Sequence, residues 1–141
     1  MTSPKFAELD HTADAGLRVF GSDLRELLEN AAEGMFSLIG SVSGEECDLA
    51  EHGLEVTFTT AEEALLRWLQ ALLLEFDRYG FFPVKISMDL RPGRLIASLR
   101  GVAFDPRRHE LRSELKAVTR LGLRVTRMPE GGLEAEVIFD V

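Results

Sequence analysis

Two stretches of the chain repeat apolar residues at helical spacing. The first runs Leu24, Leu27, Leu28, Ala31, Met35, Leu38, Ile39, with Arg25, Glu26, Glu29, Asn30 and Glu33 on the opposite side. Ser22 is a suitable N-cap for it, and Gly40 a suitable stop. The second opens at Thr60-Ala61-Glu62-Glu63, a capping-box pattern in which hydroxyl and carboxylate satisfy the first free N–H groups reciprocally. Its stripe is Leu65, Leu66, Leu69, Leu72, Leu73 and Phe76, with Trp68 and Tyr79 at the margin and Gly80 at the end. So broad a stripe predicts a largely buried helix.

Elsewhere the period is two. Phe6–Asp10, Gly16–Gly21 and Leu54–Phe58 read as strands, and Ser41–Gly53 as a polar loop with room for one short strand. Phe82–Leu90, the Arg91-Pro92-Gly93 turn and Leu95–Phe104 predict a hairpin. Leu115–Thr119, Leu121–Met128, the turn at 129–132 and Leu133–Phe139 continue the strands. No repeat or linker divides the chain, so one domain over residues 1–141 is expected. Two amphipathic helices packed beside a large, mostly antiparallel sheet give an α+β fold. The strand–helix alternation of a parallel nucleotide-binding sheet is absent.

Charge narrows the function. The formal net charge is −8. Residues 1–63 hold three basic against fourteen acidic residues, while residues 100–127 hold eight against three. The acidic half argues against a general nucleic-acid binder, which needs cations to displace phosphate counterions. The basic segment reads as a solvated strand face and loop, or as a surface for an acidic partner or phosphate. No apolar run is long enough for a membrane span, and residues 1–5 lack a secretory core, so a cytoplasmic protein is expected. The one cysteine, Cys47, has acidic neighbours that disfavour a thiolate, and is expected to be idle.

No phosphate loop, GxSxG, HExxH or CxxC is present. His52 reads as a surface loop histidine. Asp10-His11-Thr12-Ala13-Asp14 is different, packing two carboxylates, an imidazole and a hydroxyl between two predicted strands. Such a run is either a turn that satisfies its own backbone or a turn that aims oxygen ligands at a hard cation. The sequence closes with Phe139-Asp140-Val141. If Val141 is the true end, two anionic groups stand side by side; where that strand ends near the Asp10–Asp14 turn they make an all-oxygen metal site with Asp14, and otherwise the terminus is a frayed, solvated tail. Asp105-Pro106-Arg107-Arg108-His109-Glu110, followed by Leu115-Lys116-Ala117-Val118-Thr119, is a third polar cluster, serving a site or a plain connection.

Taken together, Asp10-His11-Thr12-Ala13-Asp14-Ala15-Gly16, His109-Glu110, Lys116-Ala117-Val118-Thr119 and the closing Asp140-Val141 resemble the archease family in order and over essentially the full length. That resemblance implies an accessory protein of the tRNA-splicing RNA ligase. Such a protein promotes the ligase's GTP-dependent guanylylation and its repeated turnover, without being a ligase itself. It implies metal ligands at Asp14, Asp140 and Val141, with calcium or a similar hard divalent metal bound. Asp10, His11, His109 and Lys116 are candidate supporting groups. The implied partner is the ligase; direct nucleic-acid binding and membrane association are not expected. The chain departs from the family where Arg120-Leu121 replaces a frequent Tyr-His, and where Leu111 replaces a proline. The competing readings are a stand-alone metal-dependent hydrolase using Asp14 and Asp140, and a general chaperone-like interaction module.

Overall fold

The computed structural model describes residues 4–9, 14–42 and 49–141. In order the elements are β1 (Phe6–Leu9), β2 (Ala15–Gly21), α1 (Leu24–Ile39), β3 (Gly40–Ser41), β4 (Ala50–Thr57) and α2 (Ala61–Tyr79). They continue with β5 (Phe81–Arg91), β6 (Arg94–Ala103), β7 (Glu110–Leu111), β8 (Ala117–Val118), β9 (Arg124–Arg127) and β10 (Leu133–Asp140). Every recorded strand pairing is antiparallel, and the fold is α+β as expected. The strands fall into three groups. A five-stranded sheet runs β1-β2-β10-β8, with β9 also on β10; a three-stranded sheet runs β4-β6-β5; β3 and β7 pair alone.

The helix ends follow side-chain chemistry. Asp23, not the expected Ser22, caps α1: its carboxylate accepts from the Glu26 N–H at 2.9 Å. Ser22 instead donates from backbone and hydroxyl to the Glu26 carboxylate, which makes the mirror half of a capping box. At α2 the Thr60 hydroxyl accepts from the Glu63 N–H, and the Glu63 carboxylate accepts from the Thr59 N–H. Gly80 closes α2 in the left-handed region at φ 65°, where a side chain would strain the backbone. Gly40 stops α1 for another reason. Its φ of 170° is extended backbone, but a Cβ there would stand 2.1 Å from the Glu110 carbonyl oxygen. The glycine lets β3 meet β7.

The helices bury their stripes on one another and on the inner faces of the sheets. Trp68, placed at the margin of α2 by its periodicity, is fully buried, and its Nε1 donates to the Leu28 carbonyl of α1 at 2.8 Å. The long indole bridges the two helices and belongs to the core, as its helical spacing with the leucines around it implies. Leu17 and Val19 of β2 and Ala135, Val137 and Phe139 of β10 are all fully buried. Phe36, Phe76, Phe82 and Phe104 stack and edge against each other at 5.0–6.3 Å between centroids, knitting α1, α2 and β5 to the end of β6.

Several strand bounds differ from the periodic reading. β4 begins at Ala50, four residues before Leu54, because pairing with β6 continues to Gly101. His52 therefore lies on a strand, not a loop. Its ring stacks on Phe81 at 3.9 Å, and its Nδ1 is 2.7 Å from the Glu75 carboxylate. Of the predicted strands Leu115–Thr119 and Leu121–Met128, only Ala117–Val118 and Arg124–Arg127 are strand. β5 carries an irregularity between Pro83 and Lys85, as expected where a proline cannot donate to the ladder. Cys47, Asp10 and His11 lie outside the described residues.

Gly40→Ala is expected to lower the unfolding free energy by about 2 kcal/mol or more, the scale of overpacking against rigid backbone. Chemical denaturation measures it, and a wild-type midpoint would contradict the close approach of β3 and β7.

Candidate functional site: the outer face of the five-stranded sheet

The sheet's inner face is set by burial: Leu17 and Phe6 meet Gly34 of α1. Strand alternation then turns Gly16, Arg18, Glu134, Glu136, Ile138 and Asp140 to the other, outer face. β10 pairs with β2 from Leu133↔Gly21 to Phe139↔Ala15. Carried one residue on, the same register would set Asp14, in the bend before β2, opposite Asp140, at the end of the sheet where β10 also pairs Asp140↔Ala117. Asp14 is half-buried and Asp140 exposed. Directly opposed residues on one face have Cβ atoms about 5 Å apart, and like charges so placed repel.

The β8 side is fastened by backbone bonds. The Lys116 N–H donates to the Asp140 carbonyl at 2.8 Å, and the Thr119 N–H and hydroxyl both donate to the Ile138 carbonyl. The Lys116-Ala117-Val118-Thr119 run thus borders the acidic pair, and Lys116 falls beside Val141 if the β8 register is extended. Val141 follows at 47% exposure. His109 has a different setting. It is buried, its Nδ1 accepts from the Asp105 N–H at 3.0 Å, and its ring lies 5.5 Å from Phe104. Those contacts close its own loop. Among the described residues, no three His, Cys, Asp or Glu side chains gather at one point.

Farther along the outer face is a charge network that the sequence reading did not single out. Arg18 donates to Glu136 at 2.8 Å and stands 3.0 Å from the Glu134 carboxylate; Arg124 reaches Glu136 at 3.2 Å. The Arg18 hydrogen bond is the main cause holding the Glu136 carboxyl below its ordinary range, against the opposing effect of burial, with Arg124 adding to it. The signal was present as alternating charge at Glu134 and Glu136, but their partner is 116 or more residues away. The basic segment is also partly committed internally, since Arg112 donates to the Ser37 carbonyl and approaches Glu8.

Beside Lys116 a groove of about 470 Å³ opens between α2 and the segment after β6. Leu73, Phe76, Phe104 and Leu115 are among its lining residues, and burial pushes the Asp77 carboxyl on its wall upward. Among the described residues, Leu74, Tyr79, Val84, Leu111, Leu121 and Val141 are exposed large apolar residues, of which Leu111 lines this groove.

The model of the archease protein family (MTH1598/TM1083) matches residues 6–141. The chain belongs to the archease family. Protein archease of Pyrococcus furiosus is 34% identical over 138 residues, covering 94% of this chain and 95% of the relative. Protein archease of Archaeoglobus fulgidus is 34% identical over 140 residues, covering 97% and 99%. The solution structure of Methanobacterium thermoautotrophicum protein 1598 superposes with a TM-score of 0.82 at 33% identity, covering 97% of this chain and 99% of that one. A crystal structure from Thermotoga maritima, described as an archease and possible chaperone, has a TM-score of 0.70 at 23% identity and shares the fold. The family match takes in all three described parts of the acidic corner: Asp14, Asp140 and the Lys116–Thr119 run.

Glu136 gives a pH test. Its folded-state affinity for protons is lowered, so its ion pairs stabilise the fold above the ordinary carboxylate range. That contribution is lost as pH falls from about 4.5 through the depressed value. Urea midpoints at pH 7 and pH 3 are expected to differ more for the wild type than for Glu136→Gln; equal differences would show the network to be energetically silent.

Proposed function

We propose that this archease is a metal-binding activator of a tRNA-splicing RNA ligase, promoting GTP-dependent guanylylation and repeated turnover of that enzyme. The observation that carries the reading is the register of β2 with β10, which pairs Phe139 with Ala15 and, carried one residue on, would set Asp14 opposite Asp140. Membership of the archease family supports it, with the family model matching residues 6–141. On this reading the chain is an accessory protein rather than an enzyme, and works in the cytoplasm. Among the described residues, no helix is long and apolar enough to cross a membrane.

The donor set suits a hard divalent cation such as calcium. Asp14 and Asp140 offer carboxylate oxygens, and where Val141 ends the chain its carboxylate adds two more. No soft sulfur or imidazole ligand is needed. A bound cation would supply positive charge at the tip of the sheet, for a phosphate or for the partner's own site. The chain's residues do the rest. Asp14 and Asp140 bind and orient the ion. The Lys116 N–H fixes the Asp140 backbone, and Lys116 lines the groove beside α2. Asp10 and His11 precede Asp14 by four and three residues and would be supporting groups, and His109 would hold the preceding loop in shape.

The discriminating experiment is a ligation assay with a cognate ligase. The intact chain is expected to raise guanylylation and multiple turnover, and Asp14→Asn or Asp140→Asn to abolish at least nine-tenths of the gain while melting like the wild type. Undiminished stimulation by both variants would sink the assigned role of the pair. Nucleotide hydrolysis by the isolated chain would instead favour the hydrolase reading. One residue appended after Val141 is expected to weaken calcium binding in calorimetry. Unchanged affinity would remove the terminal carboxylate from the ligand set.

A further inference from the structure

The three-stranded sheet has an outer face of its own. On β6, Leu95, Ala97 and Leu99 are buried in the core, and alternation turns Arg94, Ile96, Ser98 and Arg100 outward. The cations of this face fall into two classes. Arg94 is 2.8 Å from the Glu55 carboxylate, and Arg91 is 3.1 Å from that of Asp89. Lys85 and Arg100 are different. They pair directly across β5 and β6, and both are exposed. Glu51 opposes Arg100 from β4, yet among the described residues neither cation has an ion-pair or hydrogen-bond partner. Like charges directly opposed on one face have Cβ atoms about 5 Å apart and weaken a sheet.

A bulge puts them there. Pro83 pairs with Gly101 and Lys85 with Arg100, so Val84 is left over, and the lysine rather than the valine meets the arginine. In the next row of the same face Ser87 pairs with Ser98, about 7 Å along the strands. Neither serine hydroxyl is engaged by a described residue. Gly53 lies on the β4 side of Ser98, where a Cβ would meet nothing closer than the Ala97 carbonyl oxygen at 3.9 Å. The row is an open shelf of donors beside two uncompensated charges.

That chemistry selects an anion with several oxygens. The guanidinium fork and the ammonium can each take separate oxygens of one tetrahedral group, with the hydroxyls donating to others. A carboxylate would balance only one of the two charges. No Phe, Tyr or Trp occurs at 85–91 or 94–100, so nucleic-acid bases would find no stacking platform there. We infer that Lys85 and Arg100, with the Ser87–Ser98 row beside them, bind a phosphate group. The site is on a different sheet from the acidic corner and does not rest on the metal reading.

The test is titration of the full chain with inorganic phosphate, followed by amide NMR shifts, with ionic strength held constant by chloride. Shifts centred on Lys85, Ser87, Ser98 and Arg100 are expected. Lys85→Gln and Arg100→Gln should each weaken binding about tenfold while melting like the wild type. Arg94→Gln removes a cation already held by Glu55 and should bind phosphate like the wild type. No response at these residues, an equal response to acetate, or equal weakening by Arg94→Gln would overturn the inference. A short single-stranded RNA separates the sources of phosphate. Binding tighter than that of inorganic phosphate, and weakened in both glutamine variants, assigns the site to a nucleic-acid backbone. Failure of the RNA to displace phosphate assigns it to a small phosphate ester.

Discussion

The pairing of β2 with β10 is the constraint on which the rest of this archease depends. It joins residues 15–21 to residues 133–139, nearly the full length of the chain apart. Closing so long a loop costs conformational entropy, though the cost rises only logarithmically with length. What offsets it is the inner face of the pair: Leu17, Val19, Ala135, Val137 and Phe139 lose all contact with water beneath α1 and α2. At about 25 cal/mol per Å² of apolar surface, five such side chains are a large share of a marginal total. A slip of one residue would turn all of them outward, so the register is tightly specified.

That same register determines the chemistry of the opposite face. Because alternation is strict, fixing which residues are buried also fixes which stand together outside. The outer face then carries an arginine–glutamate network, with the corner of Asp14 and Asp140 beyond it. The network satisfies Glu136 internally and lowers its proton affinity. Like charges set opposite each other weaken a sheet unless something balances them. A hard cation bound at that corner, as proposed, would tie the stability of the corner to ligand binding.

Much of the local structure was legible along the chain. The helical stripes located α1 and α2 almost to the residue, since an apolar face repeating every 3.6 positions leaves little choice. Thr60 and Glu63 announced the start of α2 through their own hydrogen bonds. The legible part ended where non-local contact decided matters. Ser22 and Asp23 are both good caps, and only the geometry of the β2–α1 turn chose Asp23. His52 looked like a loop residue because its neighbours are polar, yet β6 extends β4 past it and Phe81 receives its ring. Arg18 gave no sign of its partners, which lie at the far end of the sequence.

The sequence by itself determined the residue types and their periods: two amphipathic helices, a set of alternating strands, and carboxylates near each end of the chain. It also carried the family motifs at Asp10–Gly16, Lys116–Thr119 and Asp140–Val141. Only the tertiary structure decided that β2 pairs with β10, that Gly16 sits under Leu9 and Ile138, and that Arg18 is held on Glu134 and Glu136. The reason is that periodicity reports which face of a strand is buried and carries no information about which distant strand lies beside it. That choice is made by the packing of all the inner faces at once.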